Sequence, residues 1–111
     1  MDVNVFVLEL MRALATIDLV GQIDLHADGP IAQGHLYVRQ DVFVRFYFNQ
    51  VTQTMAFALI KEHQRVWGID QDSRRGWHLH PVENPTEHIT IAPLSVADIA
   101  ARLGEVLASL D

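Results

Sequence analysis

The chain has 111 residues, enough for one domain and too few for two. Half of them are hydrophobic and none is cysteine, which excludes a disordered chain, a disulfide framework and a thiolate zinc site. The formal net charge of −6 argues against a purely electrostatic grip on nucleic acid.

The start, Met1-Asp2, lacks the basic stretch of a signal peptide. No apolar run approaches the ~20 residues needed to cross a bilayer, so no membrane role and a cytoplasmic location are expected. Val3, Phe6, Val7, Leu10, Met11 and Leu14 then fall on one face of a helix over 3–14, with Asp2 placed to cap it.

From residue 23 the period changes to two. Ile23, Leu25 and Ala27 alternate with polar residues up to the turn Asp28-Gly29-Pro30. Leu36 and Val38 alternate with His35, Tyr37 and Arg39. Val42, Val44, Phe46 and Phe48 alternate with Phe43, Arg45, Tyr47 and Asn49. Residues 54–61 are apolar on both faces, as in a central strand. Arg65–Asp70 forms a fifth strand, Gln71–Gly76 a polar loop and Gly76–Pro81 a short strand; Ile89-Thr90-Ile91 could add another. Ser95 and Asp98 open a second helix, whose apolar stripe is Val96, Ile99, Ala100, Leu103, Val106, Leu107 and Leu110.

Turn signals about every ten residues are the spacing of a meander. The expectation is a single α+β domain over 1–111: an antiparallel β-meander of about five to six strands with an N-terminal and a C-terminal helix packed on one face. The other face would carry His35, Tyr37, Arg39, Arg45, Tyr47, Phe57 and Leu59. A half-greasy face is rarely left bare, so a homodimer is expected to cover it. Residues 35–80 hold six lysines and arginines against four carboxylates, so an anionic ligand would prefer the middle of the chain.

The densest chemical feature is the segment 65–88, with Arg65, Trp67, Asp70, Arg74, Arg75, Trp77, His78, His80 and His88. On a strand His78 and His80 point to one face, so both imidazoles can reach one ligand. Three readings are open. His78, His80 and His88 could bind zinc or a similar divalent metal. The histidines could instead act as general acid and base while Arg65, Arg74 and Arg75 hold phosphate oxygens, the chemistry of metal-independent RNA cleavage. Or they are structural, bonding loop carbonyls and packing on Trp67 and Trp77. The two tryptophans could stack nucleobases, although in a small domain such rings more often belong to a core or an interface. No phosphate-loop motif, nucleophile elbow or cysteine nucleophile occurs.

The run Arg65-Val66-Trp67-Gly68-Ile69-Asp70, followed by Gly76-Trp77-His78-Leu79-His80-Pro81 and His88, resembles the TumE-type family, the toxin half of a prokaryotic toxin–antitoxin pair. The likeness of layout covers roughly residues 20–110, while only about 20 residues carry specificity. The resemblance implies a toxin-family protein acting on RNA and paired with an antitoxin protein. It points to Asp70, His78, His80 and His88, with Asp70 orienting a histidine. No cofactor is expected beyond the divalent metal that the histidines could hold.

Overall fold

The computed structural model describes residues 1–18 and 21–110. Helix α1 (Val3–Leu14) starts where Asp2 accepts a hydrogen bond from the Val5 amide at 2.8 Å. Its buried face is Phe6, Leu10, Ala13 and Leu14; Met11, assigned to that face by its spacing, turns outward and is exposed. Helix α2 (Val96–Ser109) starts in a capping box, in which Ser95 Oγ accepts from the Asp98 amide and Asp98 Oδ2 accepts from the Ser95 amide. The two helices pack against each other. No helix among the described residues is long and apolar enough to cross a membrane.

Between the helices lies one antiparallel sheet whose seven strands follow sequence order. They are β1 (Gln22–Asp28), β2 (Ile31–Arg39), β3 (Val42–Asn49), β4 (Thr54–Lys61), β5 (Gln64–Asp72), β6 (Gly76–His80) and β7 (Ile89–Thr90). The count exceeds the expected five to six because both short segments after residue 75 pair: Gly76–His80 along β5, and Ile89–Thr90 along β6. Gln71 and Asp72, expected in a loop, extend β5.

Local chemistry sets the turns. Glu62 and His63 both have positive φ, the geometry of a two-residue hairpin whose twist matches the strands it joins. Between β5 and β6, Asp72 Oδ1 accepts from the amides of Arg74 and Arg75, and Gly76 takes the left-handed conformation (φ 68°) that closes the loop. Gly34 is a packing requirement, since a Cβ there would lie 1.8 Å from the Asp24 carbonyl oxygen on β1.

The core lies between the helices and one face of the sheet. Phe6 stacks on Phe48 with ring centroids 4.7 Å apart, in a buried cluster that includes Leu36, Val44, Phe46, Ile99 and Leu103. Phe57 and Leu59, expected on the opposite face, are also in this core, exposed by only 2% and 0%. The reason is register: β3 pairs with β4 as Phe46↔Phe57 and Val44↔Leu59, so an even-numbered position faces an odd-numbered one. The inward parity therefore changes at this hairpin, and Ala56 and Ala58 take the outward places.

Candidate functional site

The side of the sheet away from the helices is built from cross-strand rows. In one row Arg45 opposes Ala58, Ala58 opposes Gly68 and Gly68 opposes His80. Two residues along, Tyr47 opposes Ala56, Ala56 opposes Asp70 and Asp70 opposes His78. Asp70 thus stands directly across from one histidine and diagonally from the other, within side-chain reach of both.

The contacts follow. Asp70 Oδ2 lies 3.1 Å from His80 Nε2 and 3.3 Å from His78 Nε2. The remaining ring nitrogens face carbonyls: His80 Nδ1 is 3.1 Å from the Pro85 oxygen, and His78 Nδ1 is 3.4 Å from the Gly76 oxygen. His88, from the segment between β6 and β7, brings its ring to 4.5 Å from that of His80 and 5.3 Å from that of His78. One potential ligand nitrogen from each of the three imidazoles lies within 4.8 Å of the others. Gly68 lies beneath the cluster at a tight strand pairing, because a Cβ there would sit 3.0 Å from the Phe57 carbonyl oxygen and in ordinary contact, at 3.6 Å, with His80 Cδ2.

Sequence spacing predicts His78 and His80 on one face, and they share it. It does not predict their shielding: the residues are exposed by only 5% and 1%. Solvent reaches the cluster at Asp70, whose side chain keeps 23% exposure, and at exposed His88. The Arg75 guanidinium donates to His88 Nε2 at 2.9 Å, which makes that nitrogen the acceptor and the ring neutral. The His88 imidazole is held below its ordinary pKa, first by desolvation and then by positive charge at His80, Arg75, His78 and Arg65.

The hydrogen-bond geometry leaves a proton problem. A neutral imidazole has one N–H, yet His80 turns both nitrogens toward oxygen acceptors, and His78 does the same. If each Nδ1–H donates to its carbonyl, two Nε2 lone pairs converge on one carboxylate oxygen. Only a bound proton or a metal cation can hold that junction together.

The other predicted residues are dispersed. Trp67 is buried in the core and Trp77 packs against it from the helix side, so neither ring is available to stack a base on the open side. The alternation of β5 and β6 explains this, since both tryptophans have the parity opposite to Asp70 and His78. Arg74 is an exposed residue of the β5–β6 turn with no side-chain contact to the cluster among those described. Arg65 lines a trough on the open side, of about 550 Å³, with Arg45, Tyr47, Ala56, Ala58, Ile60, Asp70 and Asp72. Sequence reasoning placed Arg45 on this side and gave it no role; its signal is a lone charge inside the aromatic run Phe43–Tyr47.

No protein-family model, curated protein or solved structure matches the chain.

Proposed function

We propose that this protein binds a zinc-class divalent metal ion through His78, His80 and His88, with Asp70 completing the donor set. The observation that carries the reading is the convergence of both Nε2 atoms on Asp70 Oδ2 while both Nδ1 atoms are turned to carbonyls. Histidine ligands are typically fixed in this way, with one nitrogen donating to a carbonyl and the other left to the metal. The separations of 3.1 and 3.3 Å also suit the edge of a tetrahedron with bonds of about 2.0–2.1 Å, which is roughly 3.3 Å long. Exposed His88 closes the set by leaving Arg75 and rotating inward. The shielding of His78 and His80 favours ligand roles over an acid–base pair working directly on RNA.

The test uses protein produced without an affinity tag, stripped with a chelator and titrated with zinc and with cobalt(II). The expected result is about one ion per chain, a tetrahedral cobalt spectrum, and a gain in unfolding free energy of about 2.7 kcal/mol at about 100 times the dissociation constant. His88→Ala, at an exposed position that threatens the fold least, is expected to weaken zinc by at least about tenfold. Arg75→Gln removes a competing donor and a positive charge, and is expected to tighten zinc about two- to tenfold. Folded wild type that takes up no ion would sink the reading.

A further inference from the structure

The trough beside the cluster has its own chemistry. Its floor is Ala56 and Ala58, where small side chains on β4 leave a hollow between larger neighbours. Arg45 on β3 and Arg65 on β5 rise on either side, both exposed. Neither guanidinium makes a hydrogen bond or ion pair with the described residues. Two unpaired guanidinium groups across one apolar floor are an arrangement for an anion, because each planar fork matches two oxygens of one phosphoryl group.

Farther along the trough the charge reverses, at Asp70 and Asp72 on β5. The Arg45–Ala58 and Ala56–Asp70 rows are two residues apart, or about 7 Å along the strand. A lone phosphate fills only the arginine end. A phosphate carried on a polyhydroxylated body about 7 Å long also reaches the carboxylates, which accept hydrogen bonds from its hydroxyls.

We propose that this trough binds a small phosphate ester of nucleotide or sugar-phosphate size, with its phosphate between Arg45 and Arg65, its body on Ala56 and Ala58, and its hydroxyls toward Asp70. The site goes beyond the metal reading and does not depend on it, since both arginines lie outside the donor set. A metal ion would share Asp70 with the ligand's hydroxyls, which is why metal-free protein is the form to titrate.

Calorimetric titration of metal-free protein with AMP and with inorganic phosphate tests the proposal. AMP is expected to bind at one site, more tightly than phosphate. Arg45→Ala and Arg65→Ala are each expected to weaken AMP by at least about tenfold, in line with a lost charge-assisted contact. Ala58→Leu fills the floor while keeping both arginines, and is expected to weaken AMP more than phosphate. Arg102→Ala, on exposed α2 surface, is expected to leave binding unchanged. Repeating the titration with ribose phosphate separates the sources: equal affinity identifies the sugar phosphate as the recognised part, and tighter AMP binding adds the base. Absence of AMP binding, or binding indifferent to both arginine substitutions, overturns the proposal whether or not zinc binds.

Discussion

The two sides of the sheet share strands and backbone hydrogen bonds but differ in chemistry. Toward the helices, β3, β4 and β5 present Val44, Phe46, Phe57, Leu59, Trp67 and Ile69, all buried. Away from them, the same strands present Arg45, Tyr47, Ala56, Ala58, Arg65 and Asp70. The difference between neighbours in the chain, such as Ile69 and Asp70, is therefore a difference between the buried core and a polar, solvent-reached face. Period-two alternation separates the two sides residue by residue.

The largest effect that can break this separation lies in the core. Phe6 is fully buried and stacks on Phe48, so Phe6→Ala is expected to lower the unfolding free energy by about 3–5 kcal/mol in urea denaturation. In conditions where the variant is still folded, its zinc affinity should match wild type. A loss of affinity in the folded variant would mean that the two sides are not independent.

Gly68 is where the two sides meet, and the expected effect there is intermediate. An added Cβ would stand 3.0 Å from the Phe57 carbonyl oxygen of the neighbouring strand, close to the ring of His80. Gly68→Ala is expected to cost about 1–3 kcal/mol through overpacking. It should also weaken zinc, because relieving the contact with the Phe57 carbonyl moves β5, which carries Asp70, against β4. Stability lost at unchanged zinc affinity would show that the His80 ring is positioned by Pro85 and Asp70 alone.

How much of this was legible follows from the range of the interactions involved. Both helices were legible because caps and apolar stripes are local: Asp2 and Ser95 mark the starts that the structure has. The shared face of His78 and His80 was legible from spacing alone. The outward face of β4 was not, because parity across the β3–β4 hairpin depends on its register, and the run 55–60 between Thr54 and Lys61 has no polar residue to mark its outer side. The tryptophans of β5 and β6, weighed from sequence toward a core or an interface, do lie on the core side, with parity opposite to that of Asp70 and His78. The convergence of Asp70 on two imidazoles, and the approach of His88 across the loop, depend on pairing between strands that spacing along one strand does not specify.

The smallest effect concerns Asp72, at the end of β5 where the hairpin begins. Its carboxyl is held below its ordinary value of 3.8, first by the Arg75 amide and then by the Arg74 amide, with His78 and Arg75 adding charge and desolvation opposing. In the unfolded chain those amides are gone and the group titrates near the ordinary value. The sign follows: the carboxylate stabilises the fold fully above about pH 4, and this contribution is lost as pH falls through the lower folded value. Metal-free wild type should therefore be slightly more stable than Asp72→Ala near neutrality, with the gap closing in acid, as read from urea midpoints across a pH series. A gap that widens in acid would mean that the carboxylate is not what holds the turn. The hairpin carrying Asp70 and His78 into register would then rest on Gly76 and the strand pairing alone.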